Sequence, residues 1–416
     1  MRRGRGRRWT AVGLAIALAL TSAMPIRAQD WRDDREDDAA APETHVELAV
    51  RRLPPLQPGF RPTKGSLEHD LWLATDRVEK KLAKSKLRLR DDALEGYVRS
   101  IVCRLVPEHC ADIRLYLVRK AGFNASMMPN GVMQVWTGLF LRCENEAQLA
   151  FVLAHELSHY LRRHSVARWE AANTTMGIAN FFAVATMAFG VGVIGSIGQL
   201  AAAGSVMGYT RDQEREADRQ GLELLVKAGY DPAQGAALWQ AVSDESAAAA
   251  SSPEEGPGFW SSHPMTKERL ATARAFADDK GSAPAGERGE ARYRDILEHY
   301  WPRWMQRELR ADAGARTGIL LERQIARGQR AVLARYYRGE MFRRRGTPES
   351  LKKALAEFEA LEGDPEAPSI LHRATGLTLW QLGRDAEAVS SFERYLRHLP
   401  DAEDREMIQS YIDDLR

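Results

Sequence analysis

The run Val152-Leu-Ala-His155-Glu156-Leu-Ser-His159-Tyr-Leu161 constrains this chain's fold more than any other segment. Its apolar surroundings predict a helix from about Asn145 to His164, with Leu149, Val152, Leu153, Leu157 and Leu161 on the buried side. Residues four apart share a helix face, so His155 and His159 can present two imidazoles to one zinc ion. Glu156, beside the first of them, is placed to act as general base. A third ligand must then come from a different part of the chain.

Tyr209-Thr-Arg211-Asp-Gln-Glu214-Arg-Glu216-Ala-Asp218-Arg219 supplies a candidate. Glu214 and Asp218 are again four apart, so one face of a second helix carries two carboxylates. Two His and one Glu make the open catalytic zinc set, with the fourth position left to water. Asp218 can accept the free ring N–H of a ligating histidine and so fix its tautomer. A solvated, charge-rich face is the competing reading, because Arg211, Arg215 and Arg219 alternate with acids. It loses weight because the segment follows the first motif at a workable distance.

The two motifs, with Arg163-His164 closing the first, resemble family 48 of the metallopeptidases. That family includes the CAAX prenyl endopeptidases, the membrane protease HtpX and soluble periplasmic quality-control proteases. The resemblance covers roughly residues 65–275. It implies a zincin-like, gluzincin-type α+β domain, mainly helical with a small sheet. It also implies one Zn2+ held by His155, His159 and Glu214, with Glu156 as base and Asp218 behind the ligands. Phe123-Asn124-Ala125-Ser-Met-Met-Pro-Asn-Gly131, followed by Val132 to Gly138, resembles the family's strand pair before the catalytic helix. Asn124 and Ala125 then become substrate-binding candidates, on an edge to which an extended peptide adds. An ordinary hairpin with a Pro-Asn-Gly turn fits the same residues equally well. Ser126 and Asn130 also depart from the family's apolar residue and glycines. Ser262-His263-Pro264, with Arg269 following, resembles a family segment near the active site. It makes His263 a catalytic candidate that approaches the zinc or stabilises an oxyanion. On residue type alone, His263 reads as a surface histidine.

Arg2, Arg3, Arg5, Arg7 and Arg8 precede an apolar run from Trp9 to about Leu20, which ends in a small-residue exit at Ala28. That is the layout of a secretory signal peptide over 1–28 and points to the periplasm. Its removal loses six Arg and no acid, moving the formal charge from +2 to −4. Such a balance gives no argument for nucleic acid. In an oxidising compartment Cys103 and Cys110 are close enough to pair, leaving Cys143 free.

Residues 29–60, charged and proline-rich, read as a flexible leader. Asp112 to Val118 alternates as a strand. The protease domain is expected over 61–275. No residue from Ala171 to Thr210 is charged, and this stretch reads as an apolar helical hairpin packed near the site or dipping into one leaflet. Burial within the domain and a double membrane span are the competing readings. A linker at 276–292 leads to helical repeats over 293–416. There Gly376, Leu379, Gly383, Ala388, Phe392 and Pro400 match the tetratricopeptide pattern. Gly339, Gly346, Ala354, Phe358 and Pro365 form a weaker copy.

The reading reached is a periplasmic zinc endopeptidase that degrades unfolded or misassembled envelope proteins. A protein partner is expected at the repeats, with possible peripheral membrane contact through 171–210. The alternative is a chaperone or assembly factor for outer-membrane proteins with a latent protease site.

Overall fold

A computed structural model describes residues 50–173, 209–249, 259–264, 266–279, 286–311 and 314–416. The signal-peptide reading, most of the leader and most of the apolar hairpin lie outside them. Ser66 accepts a hydrogen bond from His69 N and starts α1 (Leu67–Lys84). Asp91 likewise caps α2 (Asp92–Leu105), after the short strand β1 (Arg88–Leu89). A disulfide between Cys103 and Cys110 ties the end of α2 to the 3-10 turn Pro107–Asp112, and Cys143 is free and buried. Strands β2 (Arg114–Val118), β3 (Ala125–Met127) and β4 (Val132–Trp136) complete a four-stranded sheet in the order β1-β2-β4-β3. β2 runs parallel to β4, whereas β3 is antiparallel to β4 and outermost.

After α3 (Thr137–Arg142) comes the motif helix α4 (Glu146–Leu161), capped by the Asn145 side chain on Gln148 N. The sequence predicted one buried side, but every residue of α4 is buried. β3 covers part of it, and α2, α6 (Arg211–Lys227) and α7 (Ala233–Ala249) pack on its other sides. The helix also stops before His164. Arg163 takes a left-handed φ of 56°, and α5 (His164–Asn173) starts afresh. Helices α8 (Phe259–Ser262) and α9 (Lys267–Asp279) follow α7.

Two expected boundaries move. The leader does not extend to residue 60, because Leu53 and Leu56 are buried. Leu56 N donates to Leu161 O at 2.8 Å, so this segment satisfies a carbonyl at the end of α4 that the helix itself leaves open. The linker at 276–292 does not separate two cores either. Glu287 N donates to Gly229 O at 2.8 Å. Helices α10 (Glu290–Leu297), α11 (Trp301–Ala311) and α12 (Ala315–Ala326) then extend the same apolar core through Leu297, Trp301, Trp304, Leu309 and Leu320. Buried Arg142 on α3 holds the join, with Nε 2.7 Å from Glu245 and Nη2 2.6 Å from Glu308.

The chain closes with α13 (Ala331–Arg345), α14 (Pro348–Glu359), α15 (Leu371–Gln381), α16 (Asp385–His398) and α17 (Arg405–Asp414). Two successive helix pairs repeat one contact. A Cβ on Gly339 would meet the Phe358 ring at 2.4 Å, and one on Gly376 would meet the Phe392 ring at 2.6 Å. Glycine therefore lets each aromatic ring seat against its neighbour's backbone. Among the described residues, no helix is long and apolar enough to cross a membrane.

Candidate metal centre

One turn of α4 turns His155 and His159 toward the same point, their Nε2 atoms 3.1 Å apart. Helix α6 lies across them, its start fixed by a reciprocal cap between Thr210 and Gln213. Gly221 permits the approach, since a Cβ there would come within 3.2 Å of His155 N. Glu214 thereby places Oε1 3.4 Å from His159 Nε2 and Oε2 3.6 Å from His155 Nε2. The charged outer face of α6 carries Arg215 paired with Asp212 and Glu268, and Arg219 paired with Glu223. The paired charges and the two carboxylates Glu214 and Asp218 thus lie on opposite faces of one helix.

His263, just after α8, completes the group. Its Nδ1 lies 3.0 Å from Glu214 Oε1 and 3.2 Å from His155 Nε2, and its Nε2 lies 3.4 Å from Glu156 Oε1. Ligand atoms of His155, His159, Glu214 and His263 all fall within 4.8 Å of one another, and all four residues are buried. Imidazole nitrogens and a carboxylate oxygen so close together form a donor set suited to zinc. Glu156 Oε1 is buried without a hydrogen-bond partner. The residues present thus fit a metal with a base beside it.

Behind the donors, Asp218 Oδ1 lies 3.0 Å from His155 Nδ1. Arg269 grips Asp218 with Nε at 2.6 Å and Nη2 at 2.8 Å, and its Nη1 lies 2.6 Å from Glu214 Oε2. Burial pushes the Glu156 carboxyl above its ordinary range, against the opposing pull of His263 and His155. Burial also acts upward on Glu214, but His263 and Arg269 hold it well below the carboxylate range. His159 is held well below the usual imidazole value by burial.

The peptidase family M48 model matches residues 92–277, which span both motifs and His263. Residues 92–277 are a peptidase family M48 domain. Similar proteins include the beta-barrel assembly-enhancing protease of Yersinia pestis, 28% identical over 228 residues, covering 53% of this chain and 46% of that protein. The Escherichia coli (strain K12) protein of the same name is 29% identical over 213 residues, 49% and 43% of the two chains. The mitochondrial metalloendopeptidase OMA1 of Schizosaccharomyces pombe is 30% identical over 178 residues, 42% and 50%. The chain thus spans about half the length of the curated relatives it matches.

In this M48 domain the edge strand β3 borders α4. Asn124 O accepts from Trp136 N at 3.1 Å, and Met128 N donates to Val132 O at 2.8 Å. Backbone groups alternate sides along an antiparallel strand, so those of Ala125 and Met127 point away from β4, toward the outer edge, where the Met127 backbone hydrogen-bonds Glu156. Of the two predicted contacts, Ala125 lies on that edge, while Asn124 spends its carbonyl within the hairpin.

Sequence reasoning undervalued Arg269 and passed over Tyr209, Trp239 and His164. Tyr209 stacks on His159 with ring centroids 3.7 Å apart, and Trp239 Nε1 donates to Asp218 Oδ1 at 3.3 Å. His164 Nδ1 lies 2.9 Å from His159 Nδ1, and burial pushes the His164 imidazole down to about 4. Tyr209 and His164 stood inside the quoted motifs, which was the one available signal. Trp239 had none.

Proposed function

We propose that the chain is a zinc-dependent endopeptidase acting on unfolded or misassembled proteins of the bacterial envelope. The observation that carries this reading is the convergence of His155, His159 and Glu214, with Glu156 beside them and its Oε1 free of any hydrogen bond. Zinc, when bound, would supply Lewis-acid polarisation of the scissile carbonyl and make water acidic enough to deprotonate near neutral pH. Glu156 is placed to accept a proton from that water and would return it to the leaving amine. Its raised affinity for a proton in this buried setting suits both halves of the transfer. Ala125 offers main-chain hydrogen bonds to an extended peptide, which binds without strong side-chain selection. Asp218 and Arg269 keep His155 oriented while the reaction proceeds.

The periplasmic assignment rests on the layout of residues 1–28 and on the Cys103–Cys110 disulfide, which suits an oxidising compartment. The substrate class rests on relatives named for beta-barrel assembly. The repeated glycine–phenylalanine seats favour a tetratricopeptide-like partner surface in the C-terminal helices. The uncharged stretch 171–210 is the segment proposed for peripheral membrane contact.

The test is casein hydrolysis by the zinc-loaded mature chain beside Glu156→Gln. Cleavage by the wild type alone is the expected result, and equal cleavage by both would overturn the mechanism. A second reading, a chaperone or assembly factor with a latent site, is favoured by His263, which sits within reach of the same metal position. His263→Ala separates the two. Faster cleavage supports a site held latent by the imidazole, and slower cleavage supports a role for it in turnover.

A further inference from the structure

The two imidazoles of α4 are supported from behind in different ways. His155 faces a carboxylate, Asp218, which is itself neutralised by Arg269. His159 faces another imidazole, with His164 Nδ1 2.9 Å from its own Nδ1. His164 Nε2 in turn lies 3.5 Å from Glu216 Oε2. Both rings are buried.

Local chain geometry makes this contact. On an unbroken helix, residue 164 would sit about 140° around the axis from residue 159, at 3.6 residues per turn. The left-handed Arg163 breaks the helix and folds His164 back over the turn it has just left. Arg163 is anchored there by an ion pair with Glu68 of α1.

Two nitrogens at that spacing share one hydrogen, and only one direction satisfies every neighbour. If His164 donated, its Nε2 lone pair would face the Glu216 carboxylate. The His159 hydrogen would then point from Nε2 into the donor cluster, where His155 Nε2 waits 3.1 Å away. With His159 donating from Nδ1, His164 holds its hydrogen on Nε2 toward Glu216, and His159 Nε2 keeps a free lone pair toward Glu214 and His155. We propose that His164, backed by Glu216, is a positioning residue that fixes the tautomer and ring direction of His159 for metal binding. Tyr209, stacked on the same ring with its hydroxyl 2.9 Å from Ser165 Oγ, removes the remaining freedom of rotation. A neutral acceptor also suits this place better than a carboxylate. Glu214 and Glu216 already surround it, and Arg269 is committed to Asp218 and Glu214.

The inference rests on the zinc reading above and is tested by zinc affinity rather than by proteolysis. Full-length wild type, His164→Leu and His164→Asn compete for zinc with a chromophoric chelator, and thermal unfolding of each metal-free chain serves as the control for folding. Loss of such a supporting partner weakens metal binding roughly 10–100-fold, which is the drop expected for His164→Leu. His164→Asn, whose amide oxygen can accept from His159 Nδ1, should recover most of it. His164→Leu binding within about twofold of wild type would overturn the proposal. Should His164→Leu fail to fold, His164→Asn decides: near-wild-type affinity supports the acceptor role, and a full 10–100-fold loss overturns it. A wild-type chain that takes up no zinc would instead sink the metal reading itself.

Discussion

Replacing Arg269 by methionine tests how the site keeps its carboxylates ionised and in place. Methionine roughly keeps the stem's volume and removes every donor. The guanidinium is 2% exposed, and it forms two hydrogen bonds to Asp218, at 2.6 and 2.8 Å, and an ion pair to Glu214 at 2.6 Å. Nη1 also donates to Pro264 O at 3.0 Å, just after His263. Removing one partner of a buried ion pair costs about 3–5 kcal/mol, because the other charge is left uncompensated. Here Asp218 retains His155 Nδ1 at 3.0 Å and Trp239 Nε1 at 3.3 Å. The lower end of that range, about 3 kcal/mol, is therefore the expected loss for the metal-free chain. Urea unfolding with chelator present, followed by tryptophan fluorescence, measures it. Asp218→Asn added to Arg269→Met should return part of the loss by removing a stranded charge. Arg269→Lys should rescue poorly, since a point charge cannot reproduce the fork. A loss for Arg269→Met below about 1 kcal/mol, or a further loss on adding Asp218→Asn, would refute the reasoning.

Arg142→Met should cost a similar 3–5 kcal/mol or so, because it leaves Glu308 only the Gly122 N–H and Glu245 with Arg323 alone; adding Glu308→Gln should recover part of it in the same unfolding assay. Acid stability should depend on Glu146 at the start of the motif helix. Burial acts to raise this carboxyl, but hydrogen bonds from Arg292 and Tyr230 prevail and lower it below its ordinary 4.5. A depressed folded-state value contributes stability above the unfolded value that disappears as pH falls through the folded one. Glu146→Gln should therefore be less stable than wild type near neutral pH, with the gap closing below 4.5. A gap that stays constant through acid titration would count against this assignment.

The chain's local spacings carried much of the site. Four-residue intervals put His155 with His159, and Glu214 with Asp218, on single helix faces, whatever those faces later met. Alternation marked β2 to within two residues, Arg114–Val118 against an expected start at Asp112. The expected start of the motif helix near Asn145 matches the observed start at Glu146. Cys103 and Cys110 lay close enough in sequence for pairing to follow.

Only tertiary structure decided the remaining features. Arg269 reaches Asp218 across 51 residues, and Arg142 reaches Glu308 across 166. Neither arginine differs in its local pattern from the many that stay in solvent. His164 looked like the last residue of the motif helix until the break at Arg163 folded it onto His159. Leu56 seemed part of a charged leader until the open carbonyl end of α4 gave its N–H a partner. The helices from residue 293 read as a separate body, yet Trp301, Trp304 and Leu309 bury against the protease core. Periodicity along one segment fixes which side chains share a face, because helix and strand geometry repeat within a few residues. What that face will meet depends on the burial of surfaces far apart in sequence, and it exists only once the chain has packed.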